Sequence, residues 1–97
     1  MWKSYEGGKT LGSVGSEDGV IIRDEECSKG ARLTLEADGK IAPFTVTTGI
    51  YGSFFHTTFL SARNESEEVF EAIKKEIDEY LSGEKSQEWI ESFINRY

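Results

Sequence analysis

The chain has 97 residues, with 18 Asp and Glu against 11 Lys and Arg, so its formal net charge is -7. This length predicts a single domain over residues 1–97 with a thin hydrophobic core. The acidic charge argues against nucleic-acid partners, because binding to a phosphate backbone depends on clustered Lys and Arg.

Residues 1–18 are rich in glycine and predict an irregular lead-in, with a short edge strand near Lys9 to Val14. The chain does not begin with an apolar targeting segment, and no window approaches the roughly 20 apolar residues of a membrane span. Cys27 is the only cysteine, so neither an intramolecular disulfide nor a zinc site of thiolates is expected. We therefore expect a cytoplasmic protein with no membrane partner, no metal and no cofactor.

Residues 19–61 predict an antiparallel sheet. Its first strand is the β-branched run Val20–Ile22, which is expected to lead into a charged connection over residues 23–26. The clearest strand covers residues 31–37, where apolar and polar residues alternate strictly. This alternation places Ala31, Leu33, Leu35 and Ala37 on one face.

Asp38-Gly39 is typical of a two-residue type I′ turn, in which both central residues adopt positive φ. Pro43 lacks an N–H, so the hairpin would bulge there or turn that position toward an open edge. The tight turn predicts three apolar cross-strand pairs: Leu35 with Ala42, Leu33 with Phe44, and Ala31 with Val46.

Two further strands, residues 44–48 and 54–60, flank the turn signal of residues 49–52. The pairs predicted across this turn are Thr48 with Ser53, Val46 with Phe55, and Phe44 with Thr57. Phe55 and Phe59 would then join the buried face. The opposite face would carry Arg32, Thr34, Thr45, Thr47, Phe54, His56, Thr58 and Leu60.

Residues 64–97 predict helix. Asn64 can cap the first helix, with Glu67 completing a capping box. A stripe at helical spacing follows, made of Val69, Phe70, Ile73, Ile77, Tyr80 and Leu81. Gly83 ends this stripe and Ser86 begins another, which contains Trp89, Ile90, Phe93, Ile94 and Tyr97. The pattern favours two helices joined by Ser82 to Lys85, or one long kinked helix, and the second stripe either completes the core or docks on a partner.

The predicted register aligns Arg32, Thr45 and His56 in one row on the open sheet face, near Phe54. Such a row would bind a small polar or anionic ligand, hold a general base, or form a polar patch in a dimer interface. Otherwise it would be an ordinary histidine hydrogen-bonded to threonine hydroxyls. His56 is the only histidine, and no Ser, Cys or carboxylate stands at the spacing of a known catalytic motif. We therefore predict no catalytic residue, and Arg32, Thr45, His56 and Phe54 are the candidate ligand-binding residues.

The segments Gly30–Glu36 and Ile41–Gly52, with His56 and Thr57, resemble small bacterial proteins of unknown function. The resemblance covers roughly residues 5–80 and implies no activity and no catalytic residue. It implies that these segments belong to one structural unit.

Together these features predict an α+β fold, with an antiparallel meander of about four strands and one or two C-terminal helices packed on one face. The expected function is that of a non-enzymatic, acidic protein-binding or regulatory domain. We expect it to form a homodimer, because one helical layer leaves apolar residues such as Phe54, Leu60 and Ile41 on the second sheet face. The alternative is a small-molecule or anion binding protein, or a minor enzyme, that uses the open sheet face.

Overall fold

The computed structural model describes residues 2–83 and 86–97. It contains one antiparallel sheet whose five strands follow chain order, two α-helices, and a short 3₁₀-helix at Tyr5–Gly8. The strands are β1 (Trp2–Ser4), β2 (Val20–Cys27), β3 (Ala31–Ala37), β4 (Phe44–Ile50) and β5 (Phe54–Leu60), and the α-helices are α1 (Arg63–Ser82) and α2 (Gln87–Arg96). The predicted α+β meander with C-terminal helices on one face is confirmed, with five strands where about four were expected.

The first two strands differ from the prediction. Residues 23–26 lie inside β2 rather than in a connection, because their charges are paired within the fold. In the lead-in, β1 is formed by residues 2–4, where Trp2 Nε1 donates to Asp78 Oδ1 at 2.8 Å. The edge strand predicted near residues 9–14 is reduced to a single bridge between Val14 and Val20.

The predicted register between β3 and β4 is wrong by four residues. Leu35 lies opposite Val46 instead of Ala42, and Leu33 lies opposite Thr48. The connection is longer than a two-residue turn, since Ala37 and Phe44 are the last paired residues and Asp38 N donates to the Pro43 carbonyl at 2.7 Å. Pro43 is thereby kept out of the ladder, where its missing N–H would cost a hydrogen bond. An even shift preserves the faces, so Ala31, Leu33 and Leu35 are buried as predicted, whereas Ala37 is half-buried.

The predicted register between β4 and β5 is wrong by three residues, and this odd shift exchanges the two faces of β5. Val46 lies opposite Thr58 and Thr48 opposite His56. Phe55 and Phe59, which were predicted to be buried, are 78% and 50% exposed.

The turn explains this shift. It consists of residues 51–53, with Ser53 N donating to the Ile50 carbonyl at 3.0 Å and Gly52 at φ 75°. Gly49 therefore belongs to β4 rather than to the turn. Phe54, His56 and Leu60 consequently face the helices, not the open face.

The core lies between the sheet and α1. Its central members are fully buried and include Leu33, Leu35, Val46, Phe70, Ile73 and Ile77. We call this face of the sheet the helix side, and the opposite face, which carries Arg32, Thr34, Thr47 and Thr57, the open face.

The helix boundaries were partly predicted. Helix α1 begins at Arg63 after Ala62, so the predicted cap Asn64 lies within its first turn. Helix α2 begins as predicted after Ser86, whose Oγ accepts from Trp89 N at 3.1 Å. Residues 84 and 85 of the predicted linker lie outside the described residues.

The aromatic stripe of α2 packs on its own chain. Phe93 is fully buried, with Trp89 stacked on it at a centroid distance of 5.1 Å. Phe93 also contacts Phe54 and His56 of β5 edge to face. The stripe therefore completes the core, the first of the two roles considered for it. No described helix is long and apolar enough to cross a membrane.

Candidate functional site

The predicted row of Arg32, Thr45 and His56 is not formed. Arg32 lies opposite Gly49, and Thr45 lies opposite Glu36 and Phe59, in a different row of the open face. His56 lies opposite Thr48 on the helix side, and Phe54 packs there against Phe93. Of the four candidate residues, only Arg32 and Thr45 lie on the open face. The turn at residues 51–53 places the side chains of Phe54 and His56 on the opposite face from the one predicted.

The open face instead carries a groove of about 800 Å³. Its floor contains a row of three threonines, Thr34, Thr47 and Thr57, which lie side by side on β3, β4 and β5. The next row consists of Arg32, Gly49 and Phe55, and the lead-in forms one wall of the groove through Tyr5, Thr10, Ser13 and Val14.

Gly49 allows the Phe55 ring to lie against the sheet. A Cβ at residue 49 would come within 2.7 Å of that ring. The ring therefore occupies space that any other residue at position 49 would fill, and Phe55 forms an aromatic rim beside the threonine floor.

Arg32 is bound to a buried carboxylate. Its Nε and Nη2 donate to Asp24 at 2.9 and 2.7 Å, and Asp24 is only 2% exposed. Thr10 and Thr34 also donate to Asp24, and the Tyr5 ring lies 3.7 Å from the guanidinium. The hydrogen bond to Asp24 raises the pKa of Arg32. The guanidinium is thus neutralised and fixed, which weakens the expected role of Arg32 as an anion-binding group.

Glu36 has a structural role that its place in the alternating strand did not reveal. Its buried carboxylate accepts the backbone N–H groups of Gly19 at 3.0 Å and Glu17 at 3.2 Å. Gly15 approaches so closely that a Cβ there would lie 2.4 Å from the carboxyl carbon. The glycines of the lead-in are the only signal of this contact in the sequence, since they let the backbone come close to the sheet.

Several hydroxyls on β4 are buried. The Oγ1 atoms of Thr45, Thr47 and Thr48 have no hydrogen-bond partner among the residues that the structure describes. Thr47 lines the groove, but its hydroxyl oxygen is itself buried. Within residues 2–83 and 86–97, no three His, Cys, Asp or Glu side chains are grouped so that they could hold a metal ion.

The β5 edge is the second distinctive feature of this face. In the described sheet β5 pairs with β4 alone, and its seven residues include neither a charged residue nor proline. The opposite edge strand, β1, has three residues and carries Lys3. Proteins commonly protect sheet edges with charge, proline or short strands, and β5 has none of these protections.

A comparison with protein-family models, curated proteins and solved structures finds no match to this chain.

Proposed function

We propose that this protein is a non-enzymatic, self-associating protein-binding domain whose interaction surface is the β5 edge. The observation that carries the proposal is a seven-residue, uncharged edge strand that itself carries two exposed aromatic side chains, Phe55 and Phe59. We propose the cytoplasm as its compartment, because the chain has one cysteine and therefore no intramolecular disulfide.

Strand addition is the mode of binding that these features favour. The outer edge of β5 presents backbone N–H and C=O groups to an incoming strand, which would extend the sheet through main-chain hydrogen bonds. Phe55 and Phe59 lie on the same face, two residues on either side of Thr57. Exposed apolar groups of this kind on a small protein are usually interfacial.

The test is the solution mass of the full chain, measured by light scattering at micromolar concentration. We expect a dimer for the native chain and a monomer for the double variant Phe55→Lys/Phe59→Lys, because lysines on an edge strand oppose pairing. A native chain that is strictly monomeric would overturn the proposal.

Ile41→Lys is a matched control for this test. Ile41 is 78% exposed, as Phe55 is, but it lies in the connection between β3 and β4. We expect the Ile41→Lys variant to remain dimeric. Equal loss of the dimer in the control would indicate general apolar association instead of an interface at β5.

The open-face groove favours a second function, the binding of a small neutral polar ligand. Threonines line the floor of the groove, and Phe55 provides apolar surface beside them. An anionic ligand is less favoured, since Arg32 already shares two hydrogen bonds with Asp24.

Benzamide and benzoate are matched neutral and anionic probes for this second function. We expect ligand-observed NMR to detect benzamide but not benzoate, and the benzamide signal to fall in Phe55→Ala, which lacks the aromatic rim of the groove. Binding of benzoate alone, or equal benzamide signals in both proteins, would contradict it.

A further inference from the structure

The sequence of β5 is nearly symmetric about its midpoint. Thr57 is the central residue of the seven. It is flanked by His56 and Thr58, then by Phe55 and Phe59, and finally by Phe54 and Leu60. Side chains of similar polarity therefore lie at equal distances from Thr57 in both directions.

This symmetry matters because two identical strands can pair antiparallel only about a two-fold axis normal to the sheet. Such an axis brings the same surface of each copy together and pairs one residue with its own equivalent. It also keeps the helices of both copies on one side of the joined sheet. Residues of the open face then meet residues of the open face.

The position of the axis decides how much of β5 is used. An axis through Thr57 pairs all seven residues and places each phenylalanine of the open face opposite a phenylalanine. An axis through His56 or Thr58 would leave one end of the strand outside the pairing and put threonine opposite Phe55 or Phe59. Aromatic pairs across strands are stabilising, so the first arrangement is favoured.

We propose that two copies join their β5 strands antiparallel about a two-fold axis through Thr57, and that Phe59 of the second copy completes the rim of the open-face groove. Phe55 lies opposite Phe59 of the second copy, with Cβ atoms about 4.5–5.5 Å apart. Because Phe55 lines the groove, the second copy contributes an aromatic side chain to it. This inference rests on the proposed function and specifies its partner and register.

Site-specific cross-linking tests the register. Each cysteine variant is first shown by light scattering to be dimeric and is then treated with a short thiol-specific bifunctional reagent. We expect Thr57→Cys to link with itself and a mixture of Phe55→Cys with Phe59→Cys to link as a heterodimer. Thr57→Cys keeps both phenylalanines, so it remains informative if the other substitutions weaken the dimer.

The controls follow from the spacing along a strand. Phe55→Cys alone should not link. In this register residue 55 of one copy and residue 55 of the other lie four positions apart along the strand, at about 3.3 Å per position. The native chain should not link either, since Cys27 is only 1% exposed. Efficient self-linking of Phe55→Cys or of Phe59→Cys would place the axis closer to that residue than to Thr57 and overturn the inference.

The two proposals fail in different ways. A dimer that gives none of the expected links would overturn this register while leaving self-association intact. A chain that is monomeric by light scattering would overturn the proposed function itself.

Discussion

At the scale of single residues, two buried threonines on opposite faces of the sheet have opposite energetic roles. Thr48 is fully buried on the helix side, and its hydroxyl has no partner in the described part of the chain. Thr34, on the open face, donates to the buried carboxylate of Asp24 at 3.2 Å. A buried hydroxyl without a partner costs stability, whereas one that bonds a carboxylate contributes to it.

We expect Thr48→Val to raise the free energy of unfolding by about 1–2 kcal/mol, since it replaces a desolvated hydroxyl by a methyl of similar size. Thr34→Val should lower it by about 1 kcal/mol, because Asp24 loses a donor. Urea denaturation of both variants measures the difference. Destabilisation by both substitutions would mean that the Thr48 hydroxyl is hydrogen-bonded after all.

At the scale of elements, the connections between strands decide which side chains are buried. Leu33 and Phe55 were both predicted to lie in the core. The prediction for Leu33 came from the alternation along β3, and the prediction for Phe55 came from the turn signal at residues 49–52. The alternation of β3 is a local property that survives an even change of register. The orientation of β5 depends on whether its turn contains three residues or four, and either is compatible with the glycines at residues 49 and 52.

Leu33→Ala and Phe55→Ala test this orientation directly. Leu33→Ala should cost about 2–5 kcal/mol, the usual range for truncating a buried leucine. Phe55→Ala should change the stability of the monomer by less than about 0.5 kcal/mol, as exposed substitutions usually do. Both are measured by chemical denaturation at low protein concentration. A loss of several kcal/mol at Phe55 would show that this side chain is buried in the monomer.

A network of charges joins β2 to α1. Glu25 accepts from Arg23 at 2.8 Å and pairs with Lys74 at 2.5 Å, while Arg23 also pairs with Glu67 and Glu71 of α1. Burial acts to raise the pKa of Glu25, but the hydrogen bonds from Lys74 and Arg23 outweigh it and hold the pKa below its ordinary value of 4.5. The charged form of Glu25 is therefore favoured by folding.

This lowered pKa predicts a dependence of stability on pH. A carboxyl whose pKa is lower in the folded chain stabilises the fold above its unfolded pKa, and this contribution is lost as the pH falls through the folded value. We expect the melting temperature of the native chain to fall more steeply below about pH 4.5 than that of Glu25→Gln. Glu91→Gln, at an exposed position of α2, is the control and should follow the native chain. Parallel curves for the native chain and Glu25→Gln would contradict the assignment.

At the scale of the whole molecule, the charged residues lie outside the interface that we propose at β5. The chain carries a net charge of -7, whereas β5 contains no charged residue. Two copies joined through β5 would therefore repel each other through charges that lie outside the interface. Salt reduces this repulsion, because the Debye length falls from about 30 Å at 0.01 M to about 10 Å at 0.1 M.

The proposed dimer should consequently become tighter as salt is added. We expect its dissociation constant to decrease between about 0.01 and 0.1 M NaCl, measured by sedimentation equilibrium. Weaker association over that range would indicate ion pairs in the interface and would contradict pairing through β5.

The candidate site was less predictable than the fold. Arg32 was correctly placed on the open face, because alternation along β3 suffices to assign it. Its partner Asp24 was missed, since residues 23–26 resemble a solvated connection until β3 and α1 supply opposite charges. The groove itself could not be predicted, because one wall is a glycine-rich segment that is held by Glu36 through contacts distant in sequence.

Local patterns in the sequence were enough to predict the α+β class, the strands β3, β4 and β5, the two C-terminal helices, and the buried faces of β3 and the helices. These features follow from periodicities of two and about 3.6 residues, which act over a few neighbouring positions. The strand registers, the faces of β5 and the neutralisation of Arg32 by Asp24 are visible only in the folded chain. Each of these depends on the length of a turn or on a contact between distant segments, and a change of one residue in a turn moves every side chain of a strand to the opposite face.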